Sequence, residues 1–225
     1  MRFVVLTMFP EVFPGPLGVS VIGRGLANGY WSLEVIPIRR FAVNSRVDDA
    51  PYGGGPGMVM RADVLGEAFE YANSTYQIKR RIFLSPRGTK FVQNSTANLV
   101  EADNVLLICG RFEGVDQRFL NYYNVEELSV GDYVLSGGEI AAMAVIDSCV
   151  RCIPGVLGNL QSLECESFVG SSLEYDHYTR PNSWKGLSVP EVLMSGNHRK
   201  ISEWRVNSAA TATGRNRPDL VEEES

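Results

Sequence analysis

Histidine is nearly missing. His177 and His198 are the only two in 225 residues, each standing alone and far downstream of most cysteines. A tetrahedral zinc site needs four nitrogen, sulfur or carboxylate ligands at sensible spacing, and no such set is present. Cysteine is also sparse: Cys109, Cys149, Cys152 and Cys165 form no disulfide framework and suit a reducing compartment. Cys149-Val150-Arg151-Cys152 has the C-x-x-C spacing but lacks the strand that precedes a thioredoxin-like site, so it reads as small packing residues. Long apolar runs are absent as well. The run over 3–9 is interrupted by Thr7 and ended by Pro10, far too short to span a bilayer or to serve as a signal segment. There is no G-x-x-x-x-G-K-[ST], and no G-x-G-x-x-G after the first strand, which runs into Met8-Phe9-Pro10-Glu11 instead; both absences argue against a triphosphate or dinucleotide ligand. The chain reads as a cytoplasmic protein with no repeat and no low-complexity tract.

What remains is the composition of an ordinary globular protein, with 44% hydrophobic and 21% charged residues. The net charge of −5 hides an uneven distribution. Residues 1–100 carry 11 basic and 7 acidic groups, residues 101–176 carry 3 and 13, and residues 177–217 carry 7 and 2. Two basic regions thus flank an acidic middle, which by charge alone suits either a phosphate-binding surface or solvated helix faces.

Short apolar runs over 3–8, 33–38, 81–84, 105–109 and 125–130 predict strands. Helical patterns over 19–28, 62–76, 95–102, 116–122 and 138–150 lie between or after them. Continuous apolar strands alternating with helices predict an α/β domain built on a mainly parallel sheet. The pattern dissolves over 154–172, and helices are expected again over 190–195 and 198–212, the second capped by Ser195 or Asn197. Three successive strands run into loops of small residues: Ser85-Pro86-Arg87-Gly88, Gly110-Arg111-Phe112-Glu113-Gly114, and Gly131 through Gly138. In a parallel sheet these loops share the carboxyl edge, where open α/β proteins bind ligands. Their main chain, the aromatics Phe112 and Tyr133, and the apolar Leu84, Val134 and Leu135 suit an adenine ring in a mostly apolar slot.

One further segment, Pro51-Tyr52-Gly53-Gly54-Gly55-Pro56-Gly57-Met58, places four glycines in five positions. Glycine loses more entropy on ordering than alanine, by roughly 0.5–1 kcal/mol inside an element. Close approach of a flat ligand, or a tight turn, would account for it.

These blocks occur in order with "DSCVRCIPGVLG", "HYTRP" and "VPEVLMSGNH", and together they resemble the bacterial tRNA (guanine-N1)-methyltransferases over nearly the whole chain. The resemblance implies a SPOUT-class α/β fold with a deep trefoil knot and a small C-terminal helical domain. It divides the chain into 1–158 (donor-binding domain), 159–175 (linker) and 176–225 (helical, tRNA-binding). It implies a homodimer with active sites between subunits, and S-adenosylmethionine as methyl donor. By matching motif the donor would lie against Leu84, Pro86, Gly110, Phe112, Glu113, Gly114, Val130, Gly131, Asp132, Tyr133, Val134, Leu135, Gly137 and Gly138. The tRNA would meet Tyr52, Gly53, Gly54, Gly55, Pro56 and Gly57, then Asp176, His177, Tyr178, Arg180, Asn197, His198, Arg199 and Lys200. The family's D-S-F base motif appears here as Glu166-Ser167-Phe168, so Glu166 takes the place of its aspartate, with Glu164 as competing carboxylate. Arg151 matches the catalytic arginine. Mg²⁺ is a possible cofactor, with no carboxylate cage evident for it. Two other readings stay open: a SPOUT enzyme with another RNA target, and a non-catalytic protein that binds RNA or the donor.

Overall fold

A computed structural model describes residues 1–158 and 166–222. The chain forms two compact units, Met1–Gly158 and Asn159–Ser225. In the first unit, β1 (Arg2–Thr7), β2 (Ser32–Pro37), β5 (Arg80–Lys90), β6 (Asn104–Cys109) and β7 (Glu126–Ser129) form one sheet in the order β2-β1-β6-β5-β7. All neighbours are parallel, with Arg2 level with Ser32 on one side and with Asn104 on the other. Two short strands, β3 (Asp48–Asp49) and β4 (Val59–Met60), pair antiparallel.

The middles of the central strands, residues 3–6 and 105–109, are apolar at every position because both faces are covered. Alternate residues feed two cores. Phe3, Val5, Val105, Leu107 and Cys109 pack on one side with Leu99 of α3 (Ser95–Ala102) and Ala142, Val145 and Cys149 of α5 (Glu139–Val150). Val4, Leu6, Leu106 and Ile108 pack on the other with Val64, Leu65 and Phe69 of α2 (Ala62–Tyr76) and Phe119 of α4 (Gln117–Tyr123). Helix α1 (Ser20–Ala27) contributes Ile22 to the first core. The indole N–H of Trp31 donates to the Ile22 carbonyl at 3.1 Å, satisfying a buried polar group.

One strand departs from expectation. The run over 81–84 predicts a strand ending at Leu84, yet β5 continues to Lys90. Leu84 and Thr89 both register with Leu128, so residues 85–88 loop out and the ladder with β7 resumes. Pro86 has no N–H to give to a ladder, which is why the chain leaves the sheet there. Gly88 permits the return: a Cβ on it would lie 2.2 Å from the Glu127 carbonyl carbon.

The second unit holds a hairpin of β8 (Ser183–Trp184) and β9 (Leu187–Ser188), then α6 (Glu191–Met194), α7 (His198–Asn216) and α8 (Asp219–Glu222). Lys185 and Gly186 turn the hairpin with φ of 49° and 82°, the left-handed pair that a two-residue turn demands. Asn197 caps α7, its side chain accepting from the Lys200 N–H at 3.2 Å. The helix runs four residues past the expected end at 212. Among the described residues, no helix is long and apolar enough to cross a membrane.

Candidate functional site

At the carboxyl edge of the sheet lies a cavity of about 300 Å³, the lower end of the range for small-molecule sites. Its walls come from the 85–88 excursion of β5, the loop after β6 and the loop between β7 and α5. Leu84, Pro86, Gly110, Phe112, Glu113, Gly114, Val130, Gly131, Tyr133, Val134, Leu135, Gly137 and Gly138 all line it. Asp132 does not; its carboxylate sits 3.1 Å from the Lys90 ammonium on the exposed surface.

The loops converge because glycine lets backbones meet. A Cβ on Gly138 would lie 2.7 Å from the Cys109 Cα, and one on Gly110 would lie 2.6 Å from the Phe83 ring. The Gly138 N–H then donates to the Gly110 carbonyl at 3.0 Å, joining two loops directly. Cys109 is no nucleophile here. Burial, and then the charge of Glu139, push its thiol well above the ordinary cysteine range, so the reactive thiolate is suppressed.

Sequence reasoning missed a buried charge cluster beside these loops. Glu139, only 3% exposed, opens α5 and accepts from the Thr7 hydroxyl at 2.7 Å. Its carboxylate pairs with the Arg111 guanidinium at 2.9 Å. Arg111 also donates to the Ser136 carbonyl at 3.2 Å and lies over the Phe9 ring at 4.4 Å. The available signal was an acid directly after Gly137-Gly138, at the head of a helix that is apolar from Ile140 to Ile146.

The glycine-rich segment is the loop of the β3–β4 hairpin. Gly53, Gly54, Gly55 and Gly57 all have φ between 77° and 114°, a left-handed region costly for other residues. Around Gly53, Gly54 and Gly55 a Cβ would meet nothing within 4 Å. Backbone conformation, rather than crowding within the chain, therefore explains these three glycines. Gly57 is different, because a Cβ there would lie 2.4 Å from a Glu113 carboxylate oxygen. Main-chain bonds stitch this hairpin to the cavity loop: the Glu113 N–H donates to the Met58 carbonyl at 3.0 Å, and the Met60 N–H to the Gly114 carbonyl at 2.9 Å. Tyr52 is 98% exposed, and with Pro51 it borders a second, more open groove of about 970 Å³. The arginines of that groove are already engaged, Arg61 by Asp63 and Arg118 by Asp116 at 2.6 Å. Asp116 also caps α4, and the Arg118 side chain holds its carboxyl below the usual range.

Arg151 caps the carboxyl end of α5, its N–H donating to the Asp147 carbonyl at 3.2 Å. Glu166 is half-buried in the second unit, and the competing Glu164 lies outside the described residues. In that unit the 176–180 segment packs along α7. The Asp176 N–H donates to the Ser208 hydroxyl at 3.0 Å, and the Tyr178 ring stands edge-on to Trp204 at 5.9 Å. His177 meets the Glu174 carboxylate at 3.2 Å, and Arg199 meets Glu203 at 3.0 Å. Arg180, His198, Arg199 and Lys200 are exposed. Among the described residues, no group of three or more His, Cys, Asp or Glu could hold a metal ion.

Residues 1–223 match the family model for tRNA (Guanine-1)-methyltransferase TrmD. The chain is 54% identical over 225 residues to a protein of Anaplasma phagocytophilum (strain HZ) named tRNA (guanine-N(1)-)-methyltransferase, covering 99% of this chain and 97% of that one. Proteins of the same name from Ehrlichia canis (strain Jake) and Wolbachia pipientis wMel are 51% and 52% identical. Those matches cover 97% and 96% of this chain, and 94% of each relative. A match of this extent identifies the chain as a member of the tRNA (guanine-1)-methyltransferase family.

Proposed function

We propose that this protein transfers a methyl group from S-adenosylmethionine to N1 of the guanosine at tRNA position 37, just 3′ of the anticodon. The observation that carries this reading is the cavity whose walls include the glycine loops after β6 and β7, the first of them stitched by main-chain bonds to the glycine-rich hairpin. The residues fit the donor. Leu84, Val134 and Leu135 offer apolar walls and Phe112 and Tyr133 flat faces, while the converging loops present main chain to a purine edge. When bound, the donor supplies a methyl group already activated on sulfonium.

The protein's own task is then orientation and proton removal. Holding reactants in line can contribute ~7–11 kcal/mol in well-oriented cases. Guanine N1 carries a proton and attacks poorly until it is lost, so a general base contributes roughly 10²–10⁴-fold. We assign Glu166 as that base, a carboxylate one methylene longer than the family's aspartate. We assign Arg151 to the negative charge that develops on O6. Tyr52 and the glycine hairpin would present the target base, and flipping it from its stack costs a few kcal/mol that such contacts must offset. Asp176, His177, Tyr178, Arg180, Asn197, His198, Arg199 and Lys200 would hold the anticodon arm, the cationic ones through phosphate.

The proposal includes a deep trefoil knot at the carboxyl-edge loops and a homodimer with active sites at the subunit interface. Helix α5 supports the dimer. Its exposed side is apolar over its first two turns, where Ile140 is 63% exposed and Ala144 is also bare, before Asp147 and Ser148 follow. Sedimentation of a dimer at micromolar concentration would agree with this reading; a monomer would remove it. No step is assigned to Mg²⁺. The activity is tested by incubating the protein with S-adenosylmethionine and unmodified tRNA, then locating the methyl group by mass spectrometry of nuclease fragments. N1-methylguanosine at position 37 is expected. A methyl on another base or on ribose would make it an enzyme with another RNA target, and no methyl would leave a binding protein.

A further inference from the structure

Arg111 and Glu139 have no part in the chemistry assigned above, yet they form a charge pair in the first unit whose carboxylate is buried and whose guanidinium is largely covered. Such pairs are weak devices for stability. Replacing both members by neutral groups is often harmless, whereas removing one leaves the other buried and uncompensated. The position of this pair is therefore informative. Arg111 belongs to the loop after β6, and Glu139 heads α5 directly after the loop from β7. The guanidinium reaches Glu139 at 2.9 Å and the Ser136 carbonyl at 3.2 Å, and lies over Phe9 at 4.4 Å. Thr7, at the end of β1, holds the other carboxylate oxygen at 2.7 Å. Gly137 allows the approach, since a Cβ there would lie 2.3 Å from the Arg111 Nε. The two loops that this pair joins are two walls of one cavity.

We infer that Arg111 and Glu139 are positioning residues that set the spacing of the two cavity walls before the methyl donor arrives. Gly110, Gly114, Gly131, Gly137 and Gly138 make these loops conformationally permissive. Without the clip, their ordering falls due at the moment of binding and is subtracted from affinity. The inference rests on the donor reading above and deepens it. It separates donor affinity from stability, which a merely structural pair does not.

The test compares Glu139→Gln, Arg111→Met and the double variant Arg111→Met/Glu139→Gln, in which no charge is left unpaired and the glutamine still accepts from Thr7. Thermal melting and calorimetric titration with S-adenosylhomocysteine are measured on the full chain. The single variants are expected to melt lower. The double variant should recover to within about 4 °C of the parent, roughly 1 kcal/mol at this size. Its Kd should nevertheless stay about tenfold or more above the parent's, the scale on which removing a supporting partner acts at other sites. Methylation kinetics should show a raised KM for the donor, with the KM for tRNA unchanged. A double variant that melts and binds like the parent overturns the inference, as does a loss of affinity that follows melting temperature through all three. Should the double variant not fold, Arg111→Lys keeps the charge without the fork, and donor affinity equal to the parent's would overturn the inference. Failure of every variant to fold makes the pair a requirement of folding alone and also overturns it. A parent that binds no S-adenosylhomocysteine sinks the donor reading instead.

Discussion

Around the cavity, candidate residues are fixed by main chain, by close backbone contacts and by the ion pair of the buried Glu139 with the half-buried Arg111. In the second unit, they are held by exposed side-chain pairs such as Arg199 with Glu203 and His177 with Glu174. The contrast follows from what each would bind. A small molecule with defined edges rewards loops already in place, because whatever ordering remains is subtracted from affinity. A flexible polyanion rewards mobile cations that can follow phosphates, and surface ion pairs worth roughly 0–1 kcal/mol are easily exchanged for them. Main-chain fixing in one region and exposed ion pairs in the other are thus what each proposed ligand would favour.

The sharpest break of this comparison is Glu166→Gln. It should lower single-turnover methylation by roughly 10²–10⁴-fold while leaving S-adenosylhomocysteine affinity unchanged, and a near-parental rate would remove Glu166 from the mechanism. Next comes Gly138→Ala, whose new Cβ would lie 2.7 Å from the Cys109 Cα. Overpacking against backbone should cost about 1–3 kcal/mol in denaturant unfolding and weaken donor binding with it; loss of neither would mean these loops are not rigid. In the second unit, Arg199→Ala or Lys200→Ala should change stability by less than about 0.5 kcal/mol. Each should flatten the dependence of log K on log salt for anticodon-arm RNA, by about 0.7–0.9 for every phosphate that is no longer neutralised. An unchanged slope would take these residues out of the tRNA interface.

The smallest effect lies away from both sites. Burial, and then the 2.6 Å bond to Glu70, push the Tyr123 phenol from 10.0 up to about 12. A raised folded-state pKa means this contribution to stability is fully present below about pH 10 and is lost as pH rises from 10 to 12. Tyr123→Phe should flatten the stability profile in that window, and an identical decline would assign it to other groups.

Much of the first unit was legible in the residues, because continuous apolar runs such as 105–109 report a doubly covered parallel strand. The resumption of β5 after residues 85–88 was not legible. It depends on pairing with Leu128, some forty residues away, and a local pattern carries no such information. The cavity loops could be placed because glycines follow strand ends, whereas Asp132, named through membership of the motif, lies outside the cavity lining and pairs with Lys90. Arg111, Glu139 and Thr7 escaped notice for a related reason. A buried acid announces itself through its partners, and these lie 28 and 132 positions distant. The glycine-rich segment stood out in the sequence as a close approach or a tight turn, but its place in a β3–β4 hairpin did not, and three of its glycines answer first to backbone conformation.

The most direct test of the account is a crystal structure of the protein with S-adenosylhomocysteine. The account predicts the adenine between the 84–88, 110–114 and 130–138 segments, with the sulfur facing the glycine hairpin. A ligand lodged instead in the open groove beside Tyr52 and Tyr122, or anywhere else on the chain, would contradict it.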